Sequence, residues 1–428
     1  MTPETQTKKK DKLTFTGLLF ILYFSLLACD NKQAFLYGGY IIIAGLIIVD
    51  KLFSQDRLKI EFPTACKCLY YFTVFCYFSR FWAWNEYLVV NYAKFLVPIM
   101  IFMVICVNYF IKIRSTKACL YAISFSGLAL SVYGIVKNGG FASFYALATQ
   151  EGNRIGTGGD MNVNAIGMIC AYSVVVLIYY AMFKKRYLCY IISVLPFMTS
   201  VATGSRKSII LIVVGILTLM LLSQKDKKGI QKYIKLFILL LILCVGIQFV
   251  LSLDIMSTVR MRMEIMLDGF FGSSTAIIHN ESTRMRAQLI KVGWQQFKET
   301  PFIGVGFGNA RVANWNRMGV YAYSHNDYIE HLVNGGIVSI LLYYLTIVYL
   351  AVKHIKLMKV YKKPELIISF TTIVMYFVMG AAAVTYYGSM TTYLYFILWI
   401  SEVAICEREQ YENENKKTLQ EDKQQINS

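Results

Sequence analysis

Apolar blocks long enough to cross a bilayer, separated by short basic links, leave this chain few folds to choose from. The blocks run over 13–29, 34–50, 68–84, 88–110, 118–136, 162–183, 187–203, 207–223, 233–253, 327–352, 366–386 and 390–405. About twenty apolar residues cross roughly 30 Å of hydrocarbon. There a backbone can satisfy its polar groups only as helix or closed barrel. Unbroken apolar runs, rather than alternating ones, select helices. The expected fold is an all-α polytopic membrane protein with about 12 transmembrane helices.

Charged residues make up 16% of the chain and apolar residues 57%, whereas a soluble domain is usually about 25% charged. The net charge of +18 would fit a nucleic-acid binder, but the lysines cluster in the links between spans. Lys8, Lys9, Lys10 and Lys12 precede the first block, which reads as a first helix despite the lipoprotein-like Leu26-Leu27-Ala28-Cys29. Lys51, Arg57 and Lys59, then Lys112, Arg114 and Lys117, then Lys184, Lys185 and Arg186 fill alternate links. Lys225, Lys227, Lys228 and Lys232, and finally Lys353, Lys356, Lys359, Lys362 and Lys363, continue the series. An even number of spans with every alternate link basic puts both termini in the cytoplasm. No nucleic-acid partner is expected.

The chain then divides into a basic N-terminus (1–12), spans one to nine (13–253), a large extracytoplasmic loop (254–326), the last three spans (327–405) and a polar tail (406–428). The tail is rich in Glu, Gln, Lys and Asn without apolar periodicity, and is expected to be disordered. Of the ten cysteines, Cys76, Cys106, Cys170, Cys189 and Cys244 lie within spans and read as small buried hydrophobes. Cys66 and Cys68 have no partner pair for a zinc site. No metal or other cofactor is expected.

Three outward segments follow from this topology: 137–161, the turn Thr203-Gly204-Ser205-Arg206, and 254–326. Arg80, Arg154, Arg206, Arg260, Arg262, Arg284, Arg286, Arg311 and Arg317 all fall outside or at the outer edge, while most lysines fall inside. Arginine's planar fork pairs with phosphate in bidentate fashion, which a lysine cannot do. The outward arginines therefore point to a phosphorylated ligand at the outer leaflet. Arg260, Arg262, Arg311 and Arg317 are read instead as contacts to lipid headgroups.

Within the large loop, Thr283 to Lys298 repeats Met285, Leu289, Val292, Trp294 and Phe297 at helical spacing between polar residues. This predicts an amphipathic helix lying on the outer membrane surface. Ser282 is its expected N-cap, placing Arg284 in the first turn, where phosphate is favoured. Gly304-Val305-Gly306-Phe307-Gly308 lacks the βαβ setting of a dinucleotide loop and reads as a tight turn after Thr300-Pro301.

His325 closes the loop. Ser324 is the expected cap of the next helix, with Asp327 as its capping-box partner. The helix dipole would then hold His325 neutral near pH 7, able to accept a proton. A histidine that only hydrogen-bonds loop backbone meets the same spacing. His331, six residues on, reads as structural.

In order along the chain come Arg154-Ile155-Gly156, Asn162 and Asn164, Gly204-Ser205-Arg206, Ser282-x-Arg284, Pro301-x-x-Gly304-x-Gly306, and His325-Asn326 followed by Gly335-Gly336-Ile337. This ordered set, covering residues 150–340, resembles the O-antigen ligase and Wzy-type polymerase superfamily. The resemblance implies a metal-independent glycosyltransferase acting on undecaprenyl-diphosphate-linked glycans at the outer side of the bacterial cytoplasmic membrane. It implies that Arg154, Arg206 and Arg284 hold the donor diphosphate, that Asn326 contacts substrate and that His325 is the catalytic base. Arg286 competes with Arg284 for the same role. An acceptor glycan, a flippase and a chain-length regulator are the implied partners. A polymerase is the favoured function. The alternatives are a ligase that transfers to lipid A core or another anchor, and a flippase. The lack of an obvious mid-span carboxylate counts against the flippase.

Overall fold

The computed structural model describes residues 13–29, 33–53, 60–150, 162–223, 252, 260, 281–387 and 390–426. Arg154, Arg262, the expected span 233–253 save for residue 252, and the loop up to 280 save for residue 260 lie outside the described residues. The described chain is helical and holds no strand. Its helices are α1 (Phe15–Cys29), α2 (Gln33–Phe53), α3 (Thr64–Phe78), α4 (Glu86–Ile113), α5 (Lys117–Lys137), α6 (Phe141–Thr149) and α7 (Val163–Lys184). There follow α8 (Leu188–Ala202), α9 (Arg206–Ser223), α10 (Glu281–Glu299), α11 (Ala310–Met318), α12 (Asp327–Val360), α13 (Pro364–Gly380) and α14 (Met390–Ile426).

Helices α4, α5, α7, α9 and α12 are each long and apolar enough to cross a membrane, and α1, α8, α13 and residues 37–50 of α2 are shorter apolar helices. A helix coincides with every expected span that the structure describes. The fold is that of an all-α polytopic membrane protein.

The helices meet at two ends. At the basic end, Lys112 pairs with Asp50, Arg114 with Glu412, Lys184 with Glu365, Lys353 with Glu407 and Lys363 with Glu409. Three of these five carboxylates belong to the far part of α14. That helix runs through to Ile426, across the tail for which composition predicts disorder. The ion pairs, together with Arg408 to Glu61 and the i,i+4 pair Arg408–Glu412, give a polar helix what it lacks in apolar surface.

The opposite end is built where the three expected outward segments meet the helix bundle. Phe144 and Ala148 of α6 pack with Val201 and Ala202 beside the α8–α9 turn, and with Ile209. Gly204 turns the chain there with φ 59°. Asn162 caps α7, accepting from the Asn164 amide at 2.8 Å.

Helix α12 is broken at Gly336 (φ 60°, ψ −154°). A break in a membrane helix frees backbone groups that need new partners, and the segment after α10 supplies them. Val305 and Gly306 amides donate to the carbonyls of Val333 and Asn334, both at 2.9 Å. The amides of Ile337 and Val338 donate to Pro301 and Phe302 at 2.8 and 3.2 Å. Gly304 is required by this approach: a Cβ there would sit 2.4 Å from the Val333 carbonyl oxygen, at φ 63°. The glycines thus serve the docking of this loop into a helix break, a larger task than the tight turn predicted.

The same loop is fastened to the α3–α4 connection. Asn309 Oδ1 accepts from the Asn85 amide at 2.8 Å, Ser79 Oγ accepts from the Phe307 amide at 2.9 Å, and Trp82 donates to the Ile303 carbonyl at 3.1 Å. Asn334 completes the seam by accepting from the Ala310 amide and donating to the hydroxyls of Tyr386 and Tyr387.

Candidate functional site

His325 occupies the last residue before the cap of α12. Asn326 is the cap: its Oδ1 accepts from the Ile329 amide at 3.1 Å. The expected Ser324 cap with Asp327 is therefore corrected. Ser324 instead gives both its amide and its hydroxyl to Glu330, at 2.8 and 2.6 Å. Glu330 is wholly buried and also accepts from the Tyr387 hydroxyl. Asp327 is buried as well, accepting from Tyr344 and from the amide and hydroxyl of Thr385. Spacing places Asp327 at the third position after Ser324, but the carboxylate that reaches back is one helical turn deeper.

This network fixes an unusual backbone. His325 has φ 58°, a left-handed conformation that a non-glycine residue adopts only where its surroundings hold it. Ser324 is pinned on one side and Asn326 on the other, whose Nδ2 also donates to the Ala381 carbonyl at 3.1 Å. Both ends of the Asn326 amide are thus engaged within the protein.

The ring of His325 lies 4.1 Å from that of Tyr323. Burial, then the charges of Arg286, Lys207 and Arg311, hold its imidazole down to about 4. The direction is that of a neutral imidazole near pH 7, with burial and three cations as its causes. Burial likewise raises the Tyr323 phenol, against the pull of Arg311 and Arg286.

The three cations come from three elements. Lys207, in the first turn of α9, donates to the Ala382 carbonyl, next to the carbonyl held by Asn326. This brings the Gly204-Ser205-Arg206 turn to the His325 end of α12. Arg206 itself opens α9, half-buried. On α10, the charge of Arg286 acts on His325 and Tyr323, whereas Arg284 is exposed and its charge is not among those acting on the histidine. Of the two competing arginines, Arg286 is the one whose charge acts on His325.

Helix α10 starts at Glu281, so Ser282 lies inside it instead of capping it. Its inner face packs on α12: Leu289 is buried, and Gly293 lets Ile329 approach so closely that a Cβ would meet Ile329 Cγ2 at 2.4 Å. Trp294 and Ile290 remain exposed. The amphipathic helix is present, and the face expected to lie on lipid is split between α12 and the outside.

Arg311 and Arg317 are not the surface headgroup contacts expected of them. Arg317 clamps α11 to α10 through Gln296 Oε1 at 3.0 Å and an ion pair with Glu299. The Arg311 guanidinium lies over the rings of Tyr92 and Tyr323, 5.6 and 5.4 Å from their centroids. Its charge acts on His325, Tyr323 and Glu330. Arg311 and Lys207 are the site residues that sequence reasoning leaves out. Proximity to an outward histidine motif was the available signal for Arg311, and adjacency to Arg206 for Lys207.

His331 is buried between aromatic rings, stacked on Tyr386 at 3.7 Å with its Nδ1 against Ser339 Oγ at 2.7 Å. That environment is one of packing. Chemically, the site offers a neutral base surrounded by cations from three helices, a setting suited to a polyanionic leaving group.

No curated protein matches the chain. Residues 191–344, from α8 to the middle of α12, match the family described as O-Antigen ligase. The match contains Arg206, Lys207, Arg284, Arg286, Arg311, His325, Asn326 and the break at Gly336. The chain is an all-α polytopic membrane protein whose residues 191–344 are similar to the O-antigen ligase and Wzy-type polymerase superfamily.

Proposed function

We propose that the protein is a metal-independent glycosyltransferase that polymerises undecaprenyl-diphosphate-linked repeat units into surface polysaccharide at the outer side of the cytoplasmic membrane. The observation that carries this reading is a half-buried His325 whose ring neighbour Tyr323 lies under the Arg311 guanidinium, with Lys207 and Asn326 tied to adjacent carbonyls, and with the charges of Arg286, Lys207 and Arg311 acting on the imidazole. The acceptor hydroxyl gives its proton to His325 as its oxygen bonds to the anomeric carbon. The bond from that carbon to the diphosphate breaks, and undecaprenyl diphosphate leaves with the electron pair. A single displacement inverts the anomeric centre. Neutralising the leaving diphosphate is the larger electrostatic task, and Arg206, Arg286 or Arg284, and Arg154 share it with Lys207. A positioned base adds typically 10²–10⁴-fold. Asn326 holds His325 in place.

The gathering of basic links at the far end of the bundle supports a cytoplasmic position for that end under the positive-inside bias, and so an outer position for His325. The family's description favours a second reading, a ligase passing the glycan to lipid A core or another anchor. Profiling of lipid-linked glycans in a deletion strain separates the two. Single repeats accumulating on the outer leaflet support the polymerase, and long polymer stranded on lipid supports the ligase. Unflipped repeats would sink both.

A further inference from the structure

The proposed reaction accounts for the cations around His325 as a group and gives Arg311 no task of its own. Arg311 is nonetheless placed with care. It stands in the first turn of α11, a helix whose start is set by two asparagine contacts, Asn309 to Asn85 and Asn334 to the Ala310 amide. Its guanidinium carbon lies over Tyr92 of α4 and over Tyr323 beside His325. Rings take the faces of a guanidinium and leave its in-plane N–H groups for hydrogen bonding. One of those groups is left over here: the buried Nε–H has no acceptor among the described residues.

A buried donor without a partner is costly to the free protein. The nearby carboxylate does not relieve it. Glu330 feels the Arg311 charge, yet its oxygens are already taken by Ser324 and Tyr387. The residue is therefore a cation held by two phenol rings, its buried Nε–H unsatisfied, beside the Tyr323–His325 pair.

We infer that Arg311 is a substrate-contacting residue whose Nε edge grips a pair of anionic oxygens on the lipid-linked glycan, either of its diphosphate or of a uronate carboxylate. This inference rests on the function proposed above. Phosphate and carboxylate share the geometry that an arginine edge matches in bidentate fashion. Arg286 and Lys207 approach His325 from α10 and α9, and Arg311 from α11, so the three cations can hold separate oxygens.

The alternative is that Arg311 only balances the charge of Glu330. Arg311→Lys separates the two, because lysine keeps the cation and loses the planar edge. The test is binding to the full chain in nanodiscs, with two probes: farnesyl diphosphate, which carries no sugar, and a uronate-containing oligosaccharide, which carries no lipid. Thermal unfolding run in parallel shows that each variant is folded, and Arg311→Gln serves as the second variant. A tenfold or greater loss of farnesyl diphosphate binding in both variants supports the inference and assigns the diphosphate. The same loss confined to the oligosaccharide supports it and assigns the carboxylate. If Arg311→Lys binds both probes as the wild type does, the inference is overturned while the proposed function stands. If the wild type itself binds neither probe, the proposed function fails and takes the inference with it.

Discussion

Lys207 and Asn326 come from helices far apart in the chain and donate to adjacent carbonyls of one loop, those of Ala382 and Ala381. The loop after α13 thus sets the distance between the start of α9 and the start of α12. Asn326→Ala removes both the cap and this tie. A lost cap costs about 1 kcal/mol, so a small drop in thermal stability is expected together with a larger drop in kcat, as His325 loses its fixed position. Unchanged kcat at matched folded protein would show that the tie does not position the base.

The pH dependence follows from the direction of the His325 shift. With the folded value near 4 and the ordinary value at 6.5, the unfolded chain binds more protons in between. His325 therefore lowers stability as the pH falls through that window and contributes nothing above it. The free enzyme's kcat/KM should show no histidine limb between pH 6 and 8 under this assignment. Bound diphosphate offsets Arg286, Lys207 and Arg311, so the acid limb of kcat should lie at higher pH than that of kcat/KM. Coincident limbs would mean that the anion does not bind beside His325.

Arg286→Lys should reduce turnover on the order of 10²-fold, since it keeps the charge and loses the fork, while Arg284→Lys should remain close to wild type. Product ladders from purified protein at equal concentration decide between them. The reverse ranking would return the role to the exposed arginine.

Gly304→Ala should be among the most damaging single changes outside the site. Its Cβ would meet backbone at 2.4–2.5 Å on three atoms of α12, at positive φ, with a cost of several kcal/mol expected from combined strain and overpacking. Gly319→Ala, also at positive φ but with open space around it, should cost about 1 kcal/mol. Comparable melting temperatures for the two would refute the docking role of the loop.

Sidedness can be read from exposed positions at the two ends. A single cysteine replacing Tyr321 in a cysteine-free variant should react with an impermeant maleimide in intact cells, and one replacing Leu419 should react only after permeabilisation. Both side chains are exposed, so the opposite labelling pattern would invert the topology.

The spans are legible in the sequence because bilayer thickness imposes a length that few other structures share. The His325 end is legible because arginines and lysines are enriched in alternate polar segments of the sequence. Arg311 is not legible, because what distinguishes it from a headgroup contact is Tyr92, a residue on α4 far back in the chain. The choice between Arg284 and Arg286 turns on the rotation of α10 against Ile329 and Val333, which spacing alone does not set. The cap also escapes, since Ser324 and Asn326 both suit the role and Glu330 decides which one is free to take it. The tail reads as disordered because its partners, Arg114, Lys353 and Lys363, belong to other links.

The break in α12 carries a mechanical consequence. Because Pro301–Gly306 occupies the gap at Gly336, and Ile303, Phe307 and Asn309 are fastened to Trp82, Ser79 and Asn85, the segment after α10 is keyed to the bundle like a tenon in a mortise. It cannot swing as a lid without unmaking those hydrogen bonds. In the proposed reaction a long glycan must pass a wall that stays put, while the Lys207 ammonium ties α9 to the loop after α13.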